Sequence, residues 1–150
     1  MFSSIVVGTD GSDTATEAVR QAVEVAKTAC ATLEIVSAYA PVPEQQLRQE
    51  RLEAPEDVQW AISPHQEVEA SLSEAAEIAR EAGIDVNTHA CQGDPVDAII
   101  DVAEENDADL VIVGNKRMSG FKRLLKLLLL PSVPNKVSRR APCAVLIIKT

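Results

Sequence analysis

The chain has 150 residues, which is enough for one domain with one buried core. Apolar residues make up 46% and charged residues 25%, the composition of an ordinary globular protein. The formal net charge of −9 argues against nucleic acid as a partner, and an aromatic content of 3% leaves few side chains on which bases could stack.

The charge is unevenly distributed along the chain. Residues 1–109 contain all 23 acidic residues and five basic ones, whereas residues 110–150 contain nine basic residues and no acidic ones. The basic run from Lys116 to Arg140 is therefore where an anionic ligand is expected. The simpler alternative is a basic face that packs near an acidic one.

Short apolar runs alternate with helical patterns along the chain. The runs that predict β-strands are Ile5–Thr9, Leu33–Tyr39, Ile84–Cys91, Asp109–Val113 and Ala144–Ile148. Apolar residues at helical spacing predict helices over Asp13–Ala31, Gln66–Ala82, Pro95 to about Glu105, and Ser132–Arg140. Strands that alternate with helices predict an α/β fold with a parallel sheet and helices on both faces.

Turn and cap residues mark the ends of these helices. Ser12 follows a turn at the start of the first helix, and Gly83 is expected as the C-cap of the second. Asp94 is expected as the N-cap of the third helix, with Pro95 in its first turn. Residues 40–65 are polar and contain four prolines, which predicts a long connection with a short helix near Gln46–Leu52.

Three sites after strands or at helix starts carry residues suited to ligand binding. Asp10 follows the first strand and can accept hydrogen bonds from ribose hydroxyls, or hold a metal ion that bridges to phosphate. Gly114 follows the fourth strand, where a glycine permits positive φ and close approach of a ligand. The helix start at Ser132 and Val133 offers N–H groups to phosphate. Each signal has a simpler interpretation, because Asp10 could only cap a helix and Gly114 could only form a turn.

Stricter motifs for other activities are missing from the sequence. Gly114–Gly120 is not a P-loop, because no Lys-Ser or Lys-Thr follows the second glycine, and no Gly-x-Ser-x-Gly elbow occurs. His65 and His89 have no Cys or His partner at ligand spacing, so they predict no metal site. No activated nucleophile is visible, so no catalytic residue is assigned and at most slow hydrolysis is expected.

The compartment is inferred from cysteines and from the N-terminus. Cys30, Cys91 and Cys143 are an odd count at wide spacing, which predicts buried, reduced thiols of a cytoplasmic protein. The N-terminus lacks the basic region of a signal peptide. No apolar run reaches the ~18–20 residues of a transmembrane segment.

Four segments form a specific set of motifs. They are Ile5–Ser12, Gly93–Pro95, Ala108–Asn115, and Ser132–Val137 leading to Ala141–Ile148. Together they resemble the universal stress protein family over the whole chain, as a single domain of residues 1–150. The resemblance implies a Rossmann-like, five-stranded parallel sheet in the order 3-2-1-4-5 and a homodimer through the last strand, residues 144–148. It also implies a stress-response sensor that binds an adenine nucleotide, often ATP with Mg²⁺.

The same resemblance assigns roles to individual residues. Asp10 would contact the ribose or the Mg²⁺ bound to the nucleotide, and Ala38 would offer backbone groups to the adenine edge. The other residues expected around the nucleotide line the crevice or contact the ribose and phosphates: Gly8, Thr9, Val113, Gly114, Ser132 and Val133.

The phosphate loop departs from the family pattern, which is Gly, two residues, Gly, nine residues, Gly, and then Ser or Thr. Arg117 replaces the second glycine and Pro131 the third, and thirteen residues separate them, four more than in the pattern. Pro131 lacks an N–H that could face phosphate, whereas Arg117 could donate to phosphate itself. The departures predict weakened ATP binding and leave open AMP or cyclic AMP as the ligand.

The additional residues lie in a leucine-rich segment, Leu124–Leu130, with six leucines in seven positions. One small helix cannot bury all six. Leucines left uncovered are expected to face a partner protein, a membrane surface or another subunit, or to fill the crevice. The simpler interpretation is that they pack against the same domain. The alternative hypothesis is thus a nucleotide-free interaction module that docks a partner or self-associates through this segment. The flanks match the family on both sides, so the segment is interpreted as an insertion, natural or engineered.

Overall fold

A computed structural model describes residues 1–39, 64–115 and 133–150. In these ranges strands and helices alternate along the chain, as the sequence predicts. The elements are β1 (Ser4–Gly8), α1 (Asp13–Ala29), β2 (Thr32–Tyr39), α2 (Pro64–Glu81), β3 (Val86–Gln92), α3 (Pro95–Glu105), β4 (Leu110–Asn115), α4 (Val133–Arg140) and β5 (Ala144–Lys149).

The strands form one parallel sheet in the order β3-β2-β1-β4-β5. This confirms both the α/β class and the strand order that the family resemblance implies. The chain moves outward from β1 to β3 and then crosses to β4 on the other side of β1. The strand order therefore reverses between β1 and β4, and a crevice opens beyond the carboxyl ends of these two strands.

Helices cover both faces of the sheet. On one face α1 and α2 pack around alternate residues of the strands, among them Ile5, Leu33 and Ile112. On the other face α3 and α4 pack against the intervening residues, which include Val6 and Val111. All of these side chains are buried, which explains why the central strands are almost continuously apolar in sequence.

Three predicted helix caps are confirmed. The Ser12 hydroxyl accepts a hydrogen bond from the Ala15 N–H at 3.2 Å at the start of α1. The Asp94 carboxylate accepts one from the Val96 N–H at 2.8 Å at the start of α3. Gly83 has φ +76° and its N–H donates to the last turn of α2. These side chains and this left-handed glycine stabilise helix ends that would otherwise leave backbone groups unpaired.

Several predicted boundaries are wrong by one or two residues. β3 begins at Val86 instead of Ile84, because the Ile84 N–H donates to the Ala79 carbonyl at the end of α2. α2 begins at Pro64, inside the predicted connection. Other predictions fall outside the described ranges: the short helix near Gln46–Leu52, the roles of Arg117, Pro131 and Ser132, and the Leu124–Leu130 segment.

The prediction of three buried cysteines is wrong for Cys30 and only partly correct for the other two. Cys30 is exposed, because it ends α1 with a left-handed φ of 55° and its N–H donates to carbonyls of the last turn. Cys91 and Cys143 are half-buried free thiols. Burial raises the pKa of both, and the carboxylates of Glu105 and Asp101 raise the pKa of Cys91 further.

A carboxylate fixes the start of β1 to the start of β4. Asp109 accepts hydrogen bonds from the Ser3 N–H at 2.8 Å, the Ser3 hydroxyl at 3.0 Å and the Ser4 N–H at 3.2 Å. Desolvation alone would raise the pKa of Asp109, but these hydrogen bonds favour the ionised form more strongly and lower it. Asp109 therefore pairs with backbone N–H groups at the start of β1 and is not, as predicted, the first residue of a strand, since β4 begins at Leu110.

A polar cluster lies between β2 and the edge strand β3. Glu34 is only 4% exposed, and its carboxylate accepts a hydrogen bond from the Asn87 amide at 3.0 Å. Its other oxygen lies 2.7 Å from Nε2 of His89. The two partners occupy the strand next to Glu34, with Asn87 directly opposite it in the register. His89 therefore has a structural role, because its ring contacts a buried carboxylate.

Candidate functional site

A cavity of about 360 Å³ opens at the carboxyl ends of β1 and β4. This is the crevice at which open α/β sheets bind ligands, and its volume falls within the usual range for small-molecule sites. The predicted site residues that line it are Gly8, Thr9, Asp10, Ala38, Val113, Gly114 and Val133. The other two predicted residues, Arg117 and Ser132, lie outside the described ranges.

Gly8 makes room for a side chain that forms part of the cavity wall. A Cβ atom at Gly8 would lie 2.8 Å from Cδ1 of Ile99, a buried residue of α3 that also lines the cavity. The absence of a side chain at Gly8 therefore allows α3 to pack closely on β1. The end of the Ile99 side chain determines how much space is left beside the strand.

Gly114 lies inside β4, opposite Ile148 of β5, and does not form the predicted turn. The backbone φ angle of Gly114 is not positive, so the expectation of a left-handed backbone there is wrong. A Cβ atom at Gly114 would lie 3.1 Å from the backbone oxygen of Thr14 and 3.0 Å from Cγ2 of Thr14. A glycine is needed here because the first turn of α1 rests directly on the strand.

The turn that carries Asp10 is held by its own side chains. Oδ1 of Asp10 accepts a hydrogen bond from the Ser12 N–H at 2.9 Å, and the Thr9 hydroxyl accepts one from the Gly11 N–H at 3.2 Å. Gly11 has φ +79°, and a Cβ there would lie 2.6 Å from Oγ of Ser71 on α2. Asp10 thus does stabilise the helix start, the simpler of its two interpretations, and it also lies at the cavity rim.

The charges around the cavity are few. Among the described lining residues, Asp10 is the only charged side chain, and it is exposed. The lining also includes the start of α4, whose N-terminal end carries a partial positive charge. Pro134 in that first turn has no N–H, so α4 offers one donor fewer than an ordinary helix start. The arrangement suits a ligand with hydroxyl groups near Asp10 and a modest negative charge near α4.

The described residues do not form a protein-held metal centre. No group of three or more His, Cys, Asp and Glu side chains in the ranges that the structure describes is arranged to hold a metal ion. Asp10 is a single carboxylate with one oxygen already hydrogen bonded to the backbone. A magnesium ion would therefore have to arrive with the phosphates of a ligand, and would gain at most one carboxylate from these residues.

Eight lining residues lie outside the predicted site: Ser12, Thr14, Ala15, Val36, Pro95, Ile99, Asn115 and Pro134. Ile99 belongs to a helical apolar pattern that predicts a core residue. It lines the cavity only because α3 packs closely on Gly8. Pro95 was identified only as a helix-start residue. Asn115 directly follows Gly114, and its position at the end of a strand was a usable signal.

No helix among the described residues has the length and apolar character needed to cross a bilayer.

Comparisons with known proteins agree with the fold. The model of the universal stress protein family matches residues 1–149. A universal stress protein of Mycobacterium tuberculosis is 39% identical over 150 residues, which cover 99% of this chain and 97% of that protein.

Two solved structures extend the comparison. The crystal structure of a universal stress protein in complex with cAMP has a TM-score of 0.73 at 36% identity and covers 99% of this chain and 98% of its own. The universal stress protein from Archaeoglobus fulgidus in complex with dAMP has a TM-score of 0.66 at 26% identity, with 98% of both chains covered. On its sequence and its fold, the chain belongs to the universal stress protein family.

Proposed function

We propose that this protein binds an adenine nucleotide in the cavity at the ends of β1 and β4, and that it acts as a stress-response sensor and not as a fast enzyme. The observation that carries the proposal is the convergence of Asp10, the bare backbone at Gly114 and the start of α4 on one cavity. Structures of relatives with the same fold are known in complex with cAMP and with dAMP, which are both adenine nucleotides.

The proposed position of the nucleotide follows the chemistry of the walls. The adenine lies toward Ala38, whose strand backbone can pair with the edge of the base, and against the apolar side chain of Ile99. The ribose lies near Asp10 and over Gly114, where no side chain blocks its approach. The phosphate lies at the N-terminal end of α4. Arg117 and Ser132 complete the phosphate site in the sequence-based prediction.

We propose further that nucleotides with one phosphate bind more tightly than ATP. Each added phosphate brings negative charge into a cavity whose described lining has one carboxylate and no lysine or arginine. Pro134 removes one N–H from the α4 start, and Pro131 removes another from the loop. Mg²⁺, if it accompanies ATP, would be held by Asp10 and would offset part of this repulsion.

The protein is proposed to be a cytoplasmic homodimer in which two copies meet along β5. Among the described residues this strand pairs with β4 alone and so forms an edge of the sheet, and Leu146 at its centre is 39% exposed. An apolar, unpaired edge strand is a typical surface for association with a second copy.

Calorimetric titration with cAMP, AMP and ATP, with and without Mg²⁺, tests the nucleotide proposal. We expect micromolar binding of cAMP or AMP and weaker binding of ATP. Asp10→Asn keeps an oxygen for the Ser12 N–H but removes the charge, and should weaken binding about tenfold, since a hydrogen bond to a charged group contributes about 1.5–3 kcal/mol.

Asp13→Asn is the matched control, because Asp13 lies three residues further along the chain, is exposed, and is not among the residues that line the cavity. It should bind the nucleotide as tightly as the unchanged protein. Binding no tighter than millimolar for all three nucleotides would contradict the proposal and favour the nucleotide-free interaction module. Equal losses in both variants would show that Asp10 is not at the ribose.

A further inference from the structure

Thr150, the residue that follows β5, joins two walls of the cavity. Its hydroxyl lies 2.9 Å from the hydroxyl of Thr14 in the first turn of α1. Its N–H donates to the carbonyl oxygen of Asn115 at the end of β4, at 3.4 Å. Thr14 and Asn115 both line the cavity, whereas Thr150 is not among its lining residues. Thr150 therefore contacts two lining residues without itself lining the cavity.

The contact that Thr150 supplements is close but non-directional. The first turn of α1 rests on Gly114, where only van der Waals contact with Thr14 is available. Such contact keeps α1 against β4 but does not fix its position along the strand. A hydrogen bond between hydroxyl groups has a preferred distance and direction. The pair Thr14–Thr150 thus adds the directional element that the glycine surface lacks.

We propose that Thr150 is a positioning residue of the nucleotide site: it holds Thr14 and Asn115 on either side of Gly114 at the separation that the ribose and phosphate require. We call Thr14, Gly114, Asn115 and Thr150 the Thr150 clasp. The inference rests on the proposed nucleotide binding. It also links the end of β5 to the cavity, so that nucleotide binding and order at the end of β5 favour each other.

Two substitutions of Thr150 separate hydrogen bonding from packing. Thr150→Val keeps the shape and removes the hydroxyl, and should lower the affinity for cAMP about three- to fivefold, the effect of losing one neutral hydrogen bond. Thr150→Ser removes the methyl group, keeps the hydroxyl, and should restore most of the affinity. A residue that acts only by packing would give the opposite order. The midpoint of urea unfolding should be the same in both variants.

Thr28→Val is the matched control. The Thr28 hydroxyl donates to the Glu24 carbonyl at 2.9 Å near the other end of α1, so the variant removes a similar exposed hydrogen bond away from the cavity. We expect unchanged affinity. If Thr150→Val binds cAMP as tightly as Thr150→Ser, or if Thr28→Val weakens binding equally, the inference is overturned.

Amide hydrogen exchange without nucleotide tests the clasp independently of the proposed function. Thr14→Val should speed exchange of the Thr150 N–H about threefold, because the hydroxyl pair that holds this residue is lost. Thr28→Val should leave it unchanged. Unchanged exchange in Thr14→Val would overturn the clasp even if nucleotide binds. Faster exchange together with no nucleotide binding would instead overturn the proposed function and leave Thr150 a structural residue only.

Discussion

Gly8 and Gly114 make room in the cavity for neighbours that differ in their freedom to move. The neighbour of Gly8 is the terminal methyl group of Ile99, which can rotate away. The neighbour of Gly114 is the backbone of Thr14, which cannot move without shifting α1. An added methyl group should therefore be absorbed at Gly8 by a rearranged side chain, and at Gly114 only by displacement of a helix.

Gly8→Ala should reduce nucleotide affinity and lower the free energy of unfolding by about 1–3 kcal/mol, the usual cost of overpacking a core. Ile99→Val removes Cδ1, the atom that would lie 2.8 Å from the new methyl group. The double variant should therefore recover much of the loss. Urea unfolding and calorimetric titration measure the two effects. A double variant no better than Gly8→Ala would contradict the assignment of Ile99 as the neighbour that matters.

At the scale of elements, Asp109 fixes β1 beside β4 through hydrogen bonds to Ser3 and Ser4. The contribution of these hydrogen bonds to the free energy of unfolding should depend on pH. The pKa of Asp109 is lowered in the folded protein. A lowered carboxylate pKa stabilises the fold above the pKa of the unfolded chain, about 4, and this stabilisation disappears as the pH falls through the folded value. Asp109→Asn should therefore be less stable at pH 7 than the unchanged protein.

The difference in the free energy of unfolding between the unchanged protein and Asp109→Asn should become smaller as the pH falls below about 4, because Asp109 itself becomes protonated. Urea unfolding at pH 7 and at several acidic values measures it. Asp101→Asn, at an exposed position on α3, is the control and should show no such narrowing. A constant difference across this pH range would mean that Asp109 acts by shape and not by charge.

Most elements were predictable from the sequence, because four of the five strands are apolar runs and α1 and α3 begin at recognisable N-caps. In contrast, β3 contains four polar residues in seven, and α2 begins two residues before its predicted start. Site residues that directly follow a strand, such as Asp10 and Gly114, were predictable from the same apolar runs. Thr14 and Ile99 were not, since a helical residue reaches the cavity only through the packing of its helix on the sheet. The interpretation of Gly114 as a turn was wrong because a glycine can be required either by a turn or by close packing. At Gly114 the reason is the close packing of α1, and the sequence alone does not distinguish the two.

At the scale of the whole molecule, the uneven charge has a partial structural explanation. The described residues 133–150 carry four basic side chains and no acidic one. One of these, Arg140, lies 2.7 Å from the Asp97 carboxylate of α3. The simpler interpretation of the basic segment, a basic surface that packs near an acidic one, therefore describes Arg140. An exposed pair of this kind contributes little to stability, about 1 kcal/mol or less.

Self-association is the property of the whole molecule that β5 should control. Leu146→Lys places a charge on the exposed edge strand and should weaken the proposed dimer about tenfold or more, since a buried apolar contact is replaced by a cation. Sedimentation velocity over a range of protein concentrations measures the change. Val133→Lys is the control, because Val133 is exposed to the same extent, 39%, but lies on α4. Equal dimerisation of all three proteins would place the contact elsewhere or show that there is none.

The buried Glu34 has a consequence for how the outer strand finds its place. Asn87 and His89 reach this carboxylate only when β3 is aligned with β2 as observed. A slip of two residues would keep the same faces buried but would leave the buried carboxylate with at most one of its two present partners, and a buried charge that loses a partner costs several kcal/mol. An apolar residue at position 34 would tolerate such a slip. We therefore expect Glu34 to favour the observed alignment of the edge strand over a slipped one.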